Sequence, residues 1–364
     1  MRILVATDAW HPQVNGVVRT YTELAEELPA HGAELVFITP EHFVSVPCPG
    51  YPEIRLALPS ARRVERIIAD AGADAIHIAT EGPVGWMVRA HCLRRGLPFT
   101  TSYHTRFPEY AAALLKIPAP LAYAPLRRFH APSTGVMVAT PSLAKELSAR
   151  GFSRLMPWSR GVDVKLFSPR ALRIFGSVSP VFLYAGRVSK EKNIEAFLDA
   201  DLPGLKVVVG DGPQLASLRR RYPGALFTGL KTGDELARHY ASADVFVFPS
   251  RTDTFGLVLL EALACGLPVA AFPVTGPIDI IEEGQSGILD WDLAAAARKA
   301  LALDRERARA RALEFTWPHA ARLFLANLNR AIGQHRISAG DNLHRRTRAQ
   351  DSSASKRTST GATA

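Results

Sequence analysis

Four charged side chains stand out by type and spacing: Arg187, Lys192, Asp253 and Glu261. The first two lie in Gly186-Arg187-Val188-Ser189-Lys190-Glu191-Lys192-Asn193, directly after the apolar run Val181–Ala185. Two cations at a strand end, beside the free N–H groups of a following helix, make a diphosphate site. A solvated, charged loop is the alternative. Asp253 and Glu261 belong to the stretch FPSRTDTFGLVLLEALACGLPV, from Phe248 to Val269. It leaves a strand-like run, Val245–Phe248, that has the continuous apolar character of a buried parallel strand. Asp253 falls in the polar loop Ser250–Thr254. Thr254, Phe255 and Gly256 lead into a helix that stops at Gly266 and Pro268. Glu261 follows Asp253 by eight residues, about two helical turns. Two carboxylates and a helix N-terminus at the carboxyl end of a parallel strand suit a phosphate and polarised hydroxyls. Two solvated acids on an ordinary strand–loop–helix unit remain the alternative.

Other residues are weaker signals. Gly16 sits at the mouth of the first strand–helix turn, where glycine allows close backbone approach to a phosphate. No full G-x-G-x-x-G accompanies it, so the dinucleotide fingerprint is absent. Gly210-Asp211-Gly212-Pro213 reads as a tight structural turn into a helix. Gly229 and Lys231, at another strand end, are placed to edge a nucleobase. His104 follows the apolar strand Leu97–Thr101 and is expected to face a cleft, whereas His77 reads as a buried core residue. Arg62, Arg63 and Arg66 share one helix, and Arg127 and Arg128 precede Phe129. Between these groups, Phe107 to Leu126 is rich in Pro, Ala, Leu and Tyr and carries Lys116. A basic, partly apolar surface of this kind suits a membrane interface. The alternative is apolar side chains in the core and solvated arginines.

The elements that must position these residues alternate. Strand-like runs at Arg2–Thr7, Glu34–Thr39, Glu53–Ala57, Ala75–Ile78, Leu97–Thr101, Gly135–Ala139 and Leu155–Trp158 are separated mostly by helical patterns. A second series follows, at Val181–Ala185, Leu205–Val209, Ala225–Thr228, Val245–Phe248 and Val269–Phe272. Such alternation predicts an α/β protein with parallel sheets covered by helices on both faces. The expected organisation is one α/β unit over 1–167, a second over 168–316, a helix over 317–337 crossing back to the first unit, and a disordered basic tail over 338–364. Two units of this kind leave a cleft between them.

Composition narrows the class. The chain has 364 residues, enough for two domains, and 47% hydrophobic content supports sizeable cores. No stretch approaches the roughly 20 apolar residues that span a bilayer. The start, Met1 to Asp8, turns polar too quickly for a signal peptide. Cys48, Cys92 and Cys265 make neither a disulfide framework nor a close metal pair. These features lead us to expect a cytoplasmic protein with reduced thiols. Net charge is +10. From Gly333 onward six basic residues face two aspartates, so +4 of that charge lies in the tail. A basic surface attracts nucleic acid, anionic lipid and phosphate-bearing ligands alike.

Taken in order, HPQVNGVVRT, SYHTRFPEY, RGVDVKLFSP, AGRVSKEKN, GDGP and SRTDTFGLVLLEALACGLPV make the chain resemble the retaining, sugar-nucleotide-dependent glycosyltransferases of the GT-B fold, from about Met1 to Arg330. The resemblance implies two Rossmann-like domains facing a cleft. It implies that Arg187 and Lys192 hold the donor diphosphate, that Glu261 binds the ribose, and that Asp253 touches the donor sugar. Most members carry Glu at the position of Asp253, so this chain is one methylene short there. His104 would contact the transferred sugar and assist catalysis, and Gly16 would bring N–H groups to the diphosphate. No metal or other cofactor is implied. The expected reaction transfers a hexose or hexuronic acid from a UDP- or GDP-sugar to a membrane lipid such as diacylglycerol or phosphatidylinositol, at the inner face of the cytoplasmic membrane. The alternative within the class is a GDP-mannose-dependent α-mannosyltransferase with a soluble or polysaccharide acceptor. The alternative outside it is a basic nucleic-acid-binding protein, disfavoured because the cations sit at sheet ends beside paired acids.

Overall fold

The computed structural model describes residues 1–13, 15–48, 51–106 and 118–334. Two six-stranded parallel sheets carry the chain. In the first, β1 (Arg2–Ala6) lies between β2 (Glu34–Ile38) and β5 (Ala75–Ile78), with Ile3 in register with Leu35 on one side and Ala75 on the other. The sheet continues through β6 (Thr100–Tyr103), β7 (Gly135–Val138) and β8 (Leu155–Pro157). In the second, β9 (Val181–Ala185) lies between β10 (Leu205–Val209) and β12 (Val245–Phe248). The flanks are β11 (Leu226–Gly229), β13 (Val269–Ala271) and β14 (Gly287–Leu289). Strand order therefore reverses beside β1 and beside β9. Such reversals open a crevice at the carboxyl ends of the strands, where open α/β sheets bind ligands.

Every residue of β5, β7, β9 and β12 is buried, which explains why β7, β9 and β12 read as unbroken apolar runs and why His77 of β5 is buried with its neighbours. The strand expected at Glu53–Ala57 forms but joins neither large sheet. It belongs to β4 (Tyr51–Ala57), which pairs antiparallel with β3 (Ser45–Cys48) in a two-stranded ribbon. So short a connection permits only antiparallel pairing. The strand β14 is an addition, because three residues are too few for a periodicity signal.

Residues 317–334 are helical and cover the first sheet. Ala321, Phe324, Leu328 and Ala331 share a core with Ile3, Val5, Tyr21 and Trp158. The Trp158 indole N–H donates to the Ala320 carbonyl (3.1 Å), and Asn327 donates to the Pro157 carbonyl (2.8 Å). Between the halves, the Val162 N–H donates to the Phe315 carbonyl (3.1 Å). A Cβ at Gly161 would lie 2.3 Å from the Trp317 nitrogen, so two connecting segments run in contact there. Among the described residues no helix is long and apolar enough to cross a membrane. The segment expected to be a disordered tail, and Phe107 and Lys116 of the basic–apolar surface, lie outside the described residues.

Candidate active site

The loop after β9 carries Arg187 and is built against the loop after β10. The Val188 N–H donates to the Asp211 carbonyl (2.8 Å) and the Gly186 N–H to the Val209 carbonyl (3.0 Å). The Tyr184 hydroxyl donates to the Arg187 carbonyl (2.8 Å). Gly210 and Gly212 allow this approach. A Cβ at Gly210 would lie 1.8 Å from the Gly186 carbonyl oxygen, and one at Gly212 would lie 2.4 Å from that of Val188. The GDGP turn is thus the support on which Arg187 rests.

Lys192 closes a single 3-10 turn, Lys190–Lys192, and Asn193 (φ +54°) then starts the short helix Ile194–Leu198. The Lys192 ammonium reaches Asp253 Oδ1 at 2.5 Å. Asn193 donates to the Pro249 carbonyl (3.0 Å). The crossovers after β9 and β12, adjacent strands at the reversal, are therefore joined through these residues. Burial by itself would raise the Asp253 pKa, but the Lys192 charge holds it below the usual aspartate value. Asp253 Oδ2 is buried and has no hydrogen-bond partner, an acceptor available to a ligand hydroxyl.

Glu261 stands on the helix Leu257–Ala264, whose N-cap, Gly256, has φ +92° and leaves the helix without a side-chain cap. The Glu261 side chain is 3% exposed. The Tyr240 hydroxyl donates to Oε2 (2.9 Å), and Arg19 of the first half pairs with Oε1. Arg19 also lies over the Phe167 ring, 5.3 Å from its centroid. Sequence reasoning missed Arg19. The available signal was its place three residues after Gly16 on the first helix, Gly16–Glu27, which Asn15 caps by accepting from the Val17 and Val18 N–H groups (3.0 Å each). Gly16 faces the same way, since its Cβ would lie 3.7 Å from Leu257 Cδ1.

His104 follows β6. Its carbonyl accepts from the Thr254 hydroxyl (2.7 Å), which places it against the second half. Both ring nitrogens have protein partners: Arg160 at 3.2 Å on Nδ1 and the Tyr21 hydroxyl at 3.1 Å on Nε2. Behind it, His77 contacts the Tyr21 (2.8 Å), Thr100 (2.8 Å) and Ser102 (2.9 Å) hydroxyls. Burial, with the Arg160 charge second, lowers the His77 pKa to about 3. The folded state thus binds His77's proton less readily than the unfolded chain does. The resulting stability is complete above the unfolded pKa of about 6.5 and is lost as pH falls below it. Urea unfolding at pH 7.5 and pH 5 is expected to show a loss of about 2 kcal/mol from His77 alone. A His77→Gln variant, having nothing to protonate, should lose less over the same range. Equal losses in both proteins would refute the assignment.

The remaining expected residues are more dispersed. Phe255 is buried, and Thr254 bridges to His104 as described. The Gly229 carbonyl accepts from the Gly210 N–H (2.9 Å), at the edge of the same loop system. Lys231 pairs with Glu235 one helical turn away. Arg62, Arg63 and Arg66 are exposed on the helix Ala61–Ala71. Arg128 is exposed on the helix Ala119–His130, and Arg127 is half-buried there. These five arginines stand on helices of the first half rather than on the loops of the site.

Residues 14–166 match the family described as Glycosyltransferase Family 4, and residues 179–304 match Glycosyl transferases group 1. A GDP-mannose-dependent alpha-mannosyltransferase of Mycobacterium tuberculosis is 31% identical over 79% of this chain and 83% of its own length. The chain belongs to the group 1 glycosyltransferases. A sulfoquinovosyl transferase of Arabidopsis thaliana is 33% identical over 75% of this chain and 60% of its own length. An alpha-monoglucosyldiacylglycerol synthase of Streptococcus pneumoniae is 29% identical over 83% and 78%. The sucrose-phosphate synthase structure from Thermosynechococcus elongatus superposes with a TM-score of 0.74 at 23% identity, covering 92% of this chain and 99% of that one. With its two facing parallel sheets, this glycosyltransferase has the GT-B fold.

Proposed function

We propose that this glycosyltransferase transfers a hexose or hexuronic acid from a UDP- or GDP-sugar to a membrane lipid, with retention of configuration and without a metal. The observation that carries the donor reading is the Lys192–Asp253 pair. It brings a cation of one crossover and an acid of the next together at the strand reversal, with Arg187 on the same loop as Lys192 and Glu261 on the helix after Asp253. Cleaving a sugar–diphosphate bond develops negative charge on the leaving phosphate. Arg187, Lys192 and the uncapped helix end meet that charge, the work a metal ion does elsewhere. The orphan Asp253 oxygen accepts from a sugar hydroxyl, and Glu261 from the ribose, Arg19 giving way.

The lipid part rests on a surface of the first half. Val44 and Leu58, joined by a backbone hydrogen bond (2.8 Å), are both exposed, and Leu58 closely precedes the helix bearing Arg62, Arg63 and Arg66. Apolar side chains beside cations suit an anionic bilayer surface. The name of the diacylglycerol relative agrees with it. A second reading, mannose transfer from GDP-mannose to a soluble or polysaccharide acceptor, is favoured by several relatives named as GDP-mannose-dependent enzymes.

Thermal unfolding against UDP, GDP, ADP and their sugars tests the donor. A ligand at 100 times its Kd adds about 2.7 kcal/mol, so the true nucleotide should shift the midpoint and the others should not. Stabilisation by none of them would end the nucleotide-sugar reading. Co-sedimentation with phosphatidylglycerol vesicles, reversed by high salt, is the expected result for the lipid reading. Failure to bind at low salt would leave the mannosyltransferase reading in its place.

A further inference from the structure

Among the described residues, Arg160 is a buried cation without an acid. It follows β8, is 3% exposed, and among the described residues no carboxylate pairs with it. Its guanidinium lies on the Trp158 ring, 3.9 Å from the centroid, and donates to the Trp158 (2.6 Å) and Ser159 (3.1 Å) carbonyls. Burying an unpaired charge costs free energy that two carbonyls and a ring only partly offset. Its remaining hydrogen bond goes to His104 Nδ1, at 3.2 Å.

A guanidinium has five N–H donors and no acceptor. His104 Nδ1 must therefore accept, and the ring proton sits on Nε2. That N–H then donates to the Tyr21 hydroxyl (3.1 Å), whose own proton passes on towards His77 Nε2 (2.8 Å). Among the described residues, the charged and titratable groups facing His104 are Arg160, Tyr21, His77 and His130, none of them acidic near neutrality. Burial first, and then Arg160, His77 and His130, hold His104 well below the ordinary histidine value.

We propose that Arg160 is a positioning residue that locks His104 in the neutral Nε2–H tautomer, with its carbonyl turned to the second half, so that His104 orients the reacting groups and transfers no proton. This rests on the reading of His104 as part of the transferase site. It adds the residue that sets the state of the ring and excludes acid–base work by it.

The test uses the full chain labelled with 15N-histidine, with long-range 1H–15N spectra from pH 8 to 5.5 and His104 assigned by a His104→Gln variant. The expected spectrum shows a bare Nδ1 and a protonated Nε2, unchanged across the range. In Arg160→Met, Nδ1 no longer faces an obligate donor, so the Nδ1–H tautomer should become populated, and any protonation of His104 should begin at a higher pH than in the wild type, with the acidic limb of kcat/KM moving the same way. Arg160→Lys, which keeps a donor, should restore the Nε2–H tautomer. If Arg160 only supported the fold, Arg160→Met would lower Tm and leave the tautomer unchanged, which overturns the proposal. A wild-type His104 that carries its proton on Nδ1, or titrates near its ordinary value, overturns it whether or not any variant folds. Inactivity towards every nucleotide sugar tried would count against the donor reading but leave the spectral result standing.

Discussion

Arg187→Ala and Lys192→Ala are each expected to cut kcat/KM by about 10²–10³, the usual effect of removing one preorganised group that meets developing charge. Arg187 lies on a loop held by backbone hydrogen bonds and two glycine contacts, none of which needs its guanidinium, so the loop should keep its shape in Arg187→Ala. Lys192 is the counter-charge of Asp253, and its loss leaves a carboxylate whose Oδ2 is already unpartnered. The Lys192 side chain is 24% exposed, so the full cost of breaking a buried pair does not apply. A loss on the order of 1–2 kcal/mol is expected. Lys192→Ala should also raise the Asp253 pKa, because burial would then act without the opposing charge. Steady-state kinetics with the donor found by thermal shift, alongside urea unfolding, checks both parts. Turnover near wild type in either variant would remove that residue from the diphosphate site.

Gly210→Ala should be nearly as damaging to activity while touching no ligand. The added Cβ would lie 1.8 Å from the Gly186 carbonyl oxygen, and the residue has φ +145°, a conformation L side chains rarely adopt. Backbone opposes it on the facing side, so no flexible side chain can give way. Strain and overpacking together are expected to cost roughly 2–5 kcal/mol. Relief requires the Gly186–Val188 segment to shift, which moves Arg187. kcat/KM should then fall about as far as in Arg187→Ala, accompanied by a clear loss of Tm. Gly224→Ala is the control: its Cβ meets no atom within 4 Å and its φ is unstrained, so it should stay within about 0.5 kcal/mol of wild type. Wild-type stability and turnover in Gly210→Ala would show that the two loops do not support each other.

Local pattern carried much of this. β12 is visible as Val-Phe-Val-Phe because a parallel strand is covered on both faces and must be apolar throughout. The helix Leu257–Ala264 is bounded by glycine at each end, so Asp253 could be assigned to a strand-end loop and Glu261 to the helix after it. The antiparallel ribbon β3–β4 resisted the same treatment, since a strand's composition does not say which neighbour it will pair with.

The amino-acid order by itself determined the alternation of elements, the ends of the strands on which Arg187, Lys192 and Asp253 sit, and the class of fold these imply. Only the tertiary structure decided which of those ends meet. Lys192 and Asp253 are 61 positions apart, Arg19 and Glu261 are 242 apart, and Arg160 lies 56 beyond His104. Periodicity reports burial over a few turns of chain. Strand order, loop-on-loop contact and the pairing of a buried charge arise from the burial and hydrogen bonding of distant segments together, and no local window contains both members of such a pair.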